Sequence, residues 1–508
     1  MNTATWKSRL SAGGLRPVLC AVGAALFLLV AYILYFHRTD LWHLWLPAGA
    51  NNDEVIYNRQ LAGVLSSGQP EGVYGYNEGR AVVGHFGGWG PVLFFLYAIP
   101  GLVTGSGVNA MFWCNLLFAV AGWVLFACGT RLSARRQLLV AVTLFVCWYP
   151  LQEVFSGTSE PLQFFLLLAG LGAASALQRQ FQVGWFLVLA ASCALTTVTR
   201  AYTVLLWLYP IVLLWKRHRR WALVSLAGAV LSVAGYLVVT VAMTAAFFTQ
   251  NLDMQVFSLL AEGKPVQAVV YGCTKLGTQL AYLWREGIAP AARGDFRELG
   301  ITALLLLLLL VVQVVGLVQD ARARRPVAFQ VSTLAVVVVS LLGLLEMYEM
   351  YAMARHLIML IFFLVAALAC SHLRGLAVCL LLLVLLPYHW QTVTLPTYDG
   401  AMDAQMQTVS AALAQREDAQ QSDDPWAHTL AYAFRDEVSH GYLYAVPGSM
   451  GIQFDQNTYL TDKNNPIHSQ YVMTSHGSET ETRLLAEGWQ ALVSTEDLIV
   501  YERPETGA

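Results

Sequence analysis

Two adjacent acids, Asp53 and Glu54, closely follow the first apolar run of the chain, and Tyr57 stands one helical turn beyond Asp53. A carboxylate held near hydrocarbon has its charged form disfavoured, so its pKa climbs toward the range in which it can take a proton from a hydroxyl. A solvated acidic loop accounts for the same pair, and the residues alone leave both uses open. The stretch continues through Gly75-Tyr76-Asn77-Glu78 to His85, and Glu78 and His85 are polar groups that could contact a substrate.

Cations complement these acids. Arg200 lies in the tight turn between the fifth and sixth apolar runs, and Arg355-His356 opens the tenth. A guanidinium at such a place can hold a departing phosphate, because preplaced donors stabilise charge developing in a low-dielectric site. It can equally snorkel from a helix end to the lipid headgroups. Glu153 and Glu160 flank Ser156-Gly157-Thr158-Ser159, and Glu160 is a further group within reach of a substrate. Neither a His-x-x-x-His pair nor a cysteine cluster is present, so no metal and no cofactor is expected, with a divalent cation left open.

These residues must be positioned by membrane helices. Of the 508 residues, 57% are hydrophobic and only 12% charged, far below the roughly one quarter charged that is usual in soluble domains. Runs close to the roughly 20 residues needed to cross a hydrocarbon core about 30 Å thick recur from Val18 to Trp390, several of them shorter. Eleven spans are expected: Val18 to Phe36, Val108 to Cys128, Leu138 to Tyr149, Pro161 to Leu177, Val183 to Val198, Tyr202 to Trp215, Trp221 to Met243, Ile301 to Val318, Val327 to Leu345, Leu357 to Cys370 and Leu376 to Tyr388. The fold class is therefore a polytopic α-helical membrane protein. The first run is read as a span rather than a cleaved leader, since no small-residue cleavage site follows it before His37, Arg38 and Asp40.

Charge sets the orientation. Arg131/Arg135/Arg136, Lys216/Arg217/Arg219/Arg220 and Arg322/Arg324/Arg325 form tight basic loops, which mark the cytoplasmic side. The amino terminus is then cytoplasmic, and of the acids only Asp320 shares that face. Trp89 to Val103 does not fit as a span, because inserting it would invert every later loop; it is read as an interfacial helix with Trp89 and Tyr97 at headgroup level. No basic tract outside the short loops suggests nucleic acid as a partner, and seven of the eight cysteines sit in apolar runs, so no disulfide framework is implied.

The division expected is a transmembrane domain over 1–390, with outer loops at 37–107 and 244–300, and a small extracytoplasmic α/β domain over 391–508. The last region turns polar from Asp423, with β-prone runs at Gly441 to Val446, Tyr471 to Met473 and Leu498 to Tyr501, and helical stretches at Met402 to Leu413 and around Leu484.

An amino-terminal span, a loop bearing Asp53-Glu54-x-x-Tyr57, a second segment rich in Trp and Pro, alternating spans and a carboxy-terminal outer lobe together resemble the GT-C superfamily of membrane glycosyltransferases. The nearest likeness is to its protein mannosyltransferase and aminoarabinose transferase branch. The resemblance implies Asp53 as catalytic base with Glu54 as helper, and a sugar on a polyprenyl phosphate as donor. Tyr57, Arg200, Arg355 and His356 would hold the donor or its lipid phosphate. One base suffices where phosphate is the leaving group, since phosphate departs without a second acid, and attack opposite it inverts the anomeric carbon. His356 replaces an aromatic of the related enzymes, and His85, Trp89 and Pro91 replace a Lys-Pro-Pro segment, which leaves the acceptor unassigned among lipid, cell-surface glycan and protein. An oligosaccharide transferase or ligase, and a lipid or sugar transporter or flippase, are the competing readings. Transporters place ionisable groups near mid-membrane, whereas here the spans are nearly charge-free. Short loops and the absence of a retention signal suggest a bacterial plasma membrane.

Overall fold

A computed structural model describes residues 15–36, 52–68, 74–79, 90–147, 149–243, 253–295, 298–348, 353–384, 399–420, 422–433, 438–455 and 458–504. His85 and Trp89 lie outside the described residues.

The chain opens with α1 (Leu15–Phe36), α2 (Asn52–Ser67), β1 (Tyr74–Tyr76), α3 (Val92–Thr104), α4 (Ala110–Thr130), α5 (Ala134–Cys147), α6 (Tyr149–Val154), α7 (Glu160–Arg179) and α8 (Val183–Thr199). A tight 3-10 turn over Ala201–Trp207 then runs into α9 (Leu208–Leu214), and α10 (Arg219–Gly235) continues as a wider π turn to Val241. There follow α11 (Gln255–Ala261), α12 (Pro265–Tyr282), α13 (Ala289–Ala292), α14 (Glu298–Arg322), α15 (Ala328–Met347), α16 (Met353–Ser371) and α17 (Leu373–Val384).

Six helices among the described residues are long and apolar enough to cross a membrane: α1, α4, α7, the Arg219–Val241 helix, α14 and α15. They coincide with the first, second, fourth, seventh, eighth and ninth expected spans. Shorter apolar helices stand at the fifth, sixth, tenth and eleventh, and over Val92–Thr104. The chain is a multi-pass membrane protein. Its lipid-facing surface is legible in exposed Val and Leu side chains such as Val230, Leu231 and Val238, which in water would be an unusually large apolar patch.

Burial separates the centre of the bundle from its rim. In α7 89% of the spanning window is enclosed, against 22% in Arg219–Val241, so α7 is the central post. It packs against α4 through glycines: a Cβ on Gly129 would lie 2.3 Å from the Gly172 carbonyl oxygen, and one on Gly122 3.0 Å from the Phe165 Cα. Small residues let membrane helices approach backbone to backbone, which substitutes for the hydrophobic drive that lipid does not provide.

The carboxy-terminal lobe comprises α18 (Gly400–Ala419), β2 (Thr429–Tyr432), β3 (Gly451–Phe454), β4 (Tyr471–Thr474), α19 (Glu479–Ala486), β5 (Gln490–Ser494) and β6 (Ile499–Glu502). Its sheet runs β1-β3-β2-β4-β6-β5, with β1, β3, β2 and β4 parallel and the β4-β6 and β6-β5 pairs antiparallel. The edge strand comes from the first loop, Tyr74 pairing with Ile452 and Tyr76 with Phe454. The expected strand at Gly441 to Val446 is instead a 3-10 turn, His440–Ala445. Ser439 Oγ accepts from the Gly441 amide, and Tyr442, Leu443 and Ala445 all turn inward, a pattern that an alternating strand cannot produce.

One apolar core joins this lobe to the first loop. Val55, Ile56, Leu61 and Val64 of α2 pack with Leu93 and Tyr97 of α3 and with Met402, Leu443, Met450 and Ile452 of the lobe. Two polar clasps reinforce it. Arg59 donates to the carbonyls of Val446, Pro447 and Met450 at 2.5, 2.8 and 2.6 Å. Glu78 accepts from the His468 and Ser469 amides at 2.7 and 2.9 Å and from Ser469 Oγ at 2.7 Å. Asn77 and Glu78 both hold left-handed backbone, at φ 49° and 55°. That conformation is costly for Glu, and the three bonds to its carboxylate offset it.

Candidate active site

The first turn of α2 presents Asp53 and Glu54. Acids belong there, since the helix dipole favours negative charge at the amino end. The two diverge in environment. Asp53 is 38% exposed at its side chain, and its Oδ2 accepts from Arg355 Nη1 at 2.8 Å. Glu54 is buried, and its Oε1 accepts from the Gly157 amide at 3.0 Å. Burial is the main cause that pushes the Glu54 carboxyl up to about 7. Gly157 permits the approach, since a Cβ there would meet the Glu54 Cβ at 3.1 Å.

Arg355, at the start of α16, reaches a second carboxylate with its other nitrogen: Nη2 lies 2.9 Å from Glu160 Oε2. Glu160, first residue of α7, turns its remaining oxygen to Arg200 Nη2 at 2.9 Å. Arg200 Nη1 continues to His356 Nδ1 at 3.4 Å and to the Tyr202 hydroxyl at 3.2 Å. The chain of contacts thus runs Asp53, Arg355, Glu160, Arg200, His356, from a partly exposed end to a dry one. Two acids alternate with two guanidinium groups, so the charges cancel, and both members of the Glu160–Arg200 pair are 1% exposed. A buried ion pair persists only when its geometry and further hydrogen bonds repay desolvation. Here both Glu160 oxygens are engaged.

A scaffold that sequence reasoning missed supports this line. Asn115, inside α4, donates from Nδ2 to the carbonyls of Ser156 and Thr158 at 2.7 and 3.0 Å, and its Oδ1 accepts from the Tyr97 hydroxyl at 2.7 Å. Ser156 Oγ and Thr158 Oγ1 lie 2.6 Å apart, and Thr158 Oγ1 donates to Glu153 Oε2 at 2.7 Å. The α4–α7 glycine contact brings Asn115 beneath this loop, and the loop in turn fixes Glu54 and the start of α7. The available signal was Asn115 itself, a lone amide in an apolar run, which in a membrane calls for internal partners.

The sequence-selected residues separate accordingly. Asp53, Glu54, Glu160, Arg200, Arg355 and His356 form one connected group. Tyr57 lies a turn beyond Asp53, buried, its ring centroid 6.0 Å from that of Phe94. Both Glu160 oxygens are taken by arginines, Arg200 and Arg355. The Glu78 carboxylate is engaged in the clasp to His468 and Ser469. Arg200 is an internal bracing cation, whereas Arg355, with 25% of its side chain exposed, is the cation that opens outward. Among the described residues no group of three or more His, Cys, Asp or Glu side chains is arranged to hold a metal ion.

By sequence, neither a family profile nor a curated protein matches the chain. By structure, it is similar to the oligosaccharyltransferase of Archaeoglobus fulgidus in its apo form, with a TM-score of 0.50 and 12% identity over 90% of this chain and 69% of that one. The chain shares the overall fold of that archaeal enzyme. The same archaeal enzyme tethered to an acceptor peptide containing the NVT sequon gives a TM-score of 0.48 at 14% identity, covering 92% and 70%. ArnT from Cupriavidus metallidurans bound to undecaprenyl phosphate gives 0.43 at 15% identity, covering 95% and 98%. In this chain the acids on α2 stand at the end of α1 opposite the one that carries Arg16, since Glu54 bonds Gly157 close to where Phe155 packs on Phe36.

Proposed function

We propose that this protein transfers a sugar from a polyprenyl-phosphate carrier to an acceptor hydroxyl at the extracytoplasmic face of the plasma membrane, with inversion at the anomeric carbon. The observation that carries the reading is the shared guanidinium of Arg355, held between a partly exposed Asp53 and a buried Glu160. The fold and the basic loops at the opposite end of the bundle support the membrane setting and the orientation.

In this reading Asp53 is the base. It removes the acceptor proton as that oxygen attacks the anomeric carbon, and the bond to the phosphate oxygen breaks on the opposite face. The leaving lipid phosphate takes the Nη1 hydrogen bond that Arg355 otherwise gives to Asp53. Binding of the donor thereby frees the carboxylate that must act. Glu160 and Arg200 keep the guanidinium plane fixed during this exchange, so the donor is already in place when charge develops. Glu54 orients the Ser156–Ser159 loop rather than reacting itself.

The test uses purified protein in nanodiscs with a panel of radiolabelled polyprenyl-phosphate sugars and membrane extract as acceptor source. Expected is release of polyprenyl phosphate with transfer of label in the wild type, and a fall of about 10²- to 10⁴-fold in Asp53→Asn, the range for loss of one general base. Full turnover by that variant would remove Asp53 from the role. Transfer of label only from an oligosaccharide carrier would make the enzyme an en bloc glycan transferase.

A further inference from the structure

An apolar cavity of about 660 Å³ opens between α1, α4 and α5, away from the carboxylate line. Leu19, Gly23 and Phe27 line it on α1, with Trp123, Leu144 and Phe362 facing them. It extends at least from Leu15 to Leu28 on α1, roughly 20 Å at 1.5 Å per residue, and half of a hydrocarbon core is about 15 Å. The cavity is therefore as deep as one leaflet. At about 30 Å³ for a water-sized group it holds roughly twenty such groups, which suits one extended hydrocarbon chain.

Its mouth has the opposite character. Arg16 lines it beside Ser133, Ala134 and Gln137. Arg16 Nη2 donates to the carbonyls of Ala127 and Leu132, both at 3.0 Å, while its buried Nε has no hydrogen-bond partner. Arg131 ends α4 in left-handed backbone, and exposed Arg135 and Arg136 occupy the first turn of α5. A helix amino terminus disfavours cations, so two of them there call for an anion. Among the described residues, no ion pair involves Arg16, Arg131, Arg135 or Arg136. The positive-inside rule explains why arginines lie at this end. It does not explain a chain-sized cavity directly beneath them.

We propose that this cleft binds an anionic phospholipid of the adjacent leaflet, with its phosphate at Arg16 and the first turn of α5 and an acyl chain in the cavity. The far end of the cavity touches Leu151 and Val154 of α6, next in sequence to Glu153, so the bound chain props the helix that leads into the Ser156–Ser159 loop. No covalent step is involved, and the proposal does not depend on which sugar is transferred.

Native mass spectrometry of the full chain, titrated with phosphatidylglycerol and with phosphatidylcholine, tests it. Phosphatidylglycerol adducts are expected to survive activation that strips phosphatidylcholine. Arg16→Gln should weaken phosphatidylglycerol retention about fivefold, the effect of one basic residue near a charged lipid surface. Gly23→Phe directs its ring into the cavity, which Gly23 lines and where a Cβ meets nothing within 4 Å, and it should lower retention further while thermal melting stays near wild type. Equal retention of the two lipids by the wild type, or wild-type phosphatidylglycerol binding by Arg16→Gln, overturns the site. Since the readout is lipid retention, it stands apart from any result on glycosyl transfer.

Discussion

Glu160 and Arg200 form an ion pair of 2.9 Å in which each side chain is 1% exposed, and the same glutamate binds Arg355 at 2.9 Å with its other oxygen. Removing the negative charge leaves two guanidinium groups facing each other across a neutral amide. Glu160→Gln is expected to cost about 3–5 kcal/mol, as for one partner stripped from a buried pair. Thermal denaturation in detergent measures it. An unchanged midpoint would mean that water or lipid headgroups already screen the arginines.

Arg355 acts through geometry as well as charge. A lysine keeps the positive charge but cannot reach Asp53 and Glu160 along two fixed N–H directions. Arg355→Lys should therefore weaken donor binding by about ten- to a hundredfold, the loss of one or two charged hydrogen bonds, while the protein still folds. Donor titration by tryptophan fluorescence or by retained radiolabel reports this directly.

Glu54 makes stability depend on pH. Its folded pKa of about 7 lies above the ordinary 4.5, chiefly through burial. The folded chain thus holds this proton more tightly than the unfolded one. Raising pH from 4.5 toward 7 progressively costs stability, to a total of roughly 3 kcal/mol above pH 7. Glu54→Gln keeps an oxygen for the Gly157 amide and removes the titration. Its melting curve should be flatter between pH 5 and pH 8 and lie higher at pH 8. Parallel curves for the two proteins would contradict the assignment.

The clasp between α2 and the carboxy-terminal lobe is predicted to govern the lobe's resistance to protease. Arg59→Leu leaves the carbonyls of Val446, Pro447 and Met450 without their shared donor, at a cost of about 1–3 kcal/mol for each buried group left unpaired. Limited proteolysis should release the lobe faster in this variant than in the wild type. An identical digestion pattern would show that the apolar core alone holds it.

Much of the bundle was readable because hydrocarbon imposes one period and one length on whatever crosses it. The charged residues of the site were readable for the same reason: Asp53, Glu160, Arg200 and Arg355 stand out in a chain with so few charges. Their pairing was not. Glu160 meets Arg200 40 positions and Arg355 195 positions away, and nothing local in either segment encodes which carboxylate a guanidinium will find. The membership of Tyr74–Tyr76 in the lobe's sheet was equally hidden, since three residues are too few to show alternation. Glu78 looked like a free polar group for the same reason, its partners being 390 and 391 positions further on. The turn at His440–Ala445 was misread because β-prone side chains there serve burial from a capped turn.

The pairing of β1 with β3 has a bearing on biosynthesis. Arg59 and the Val446 carbonyl are 387 residues apart in the chain, so the ribosome has completed nearly the whole polypeptide before the helix that bears Asp53 can be clasped. Every span must already have been threaded into the bilayer by then. Chains cut short before Gly451 lack the strand on which β1 docks, so the lobe's clasp on the helix that bears Asp53 forms only in molecules whose synthesis and insertion are nearly finished.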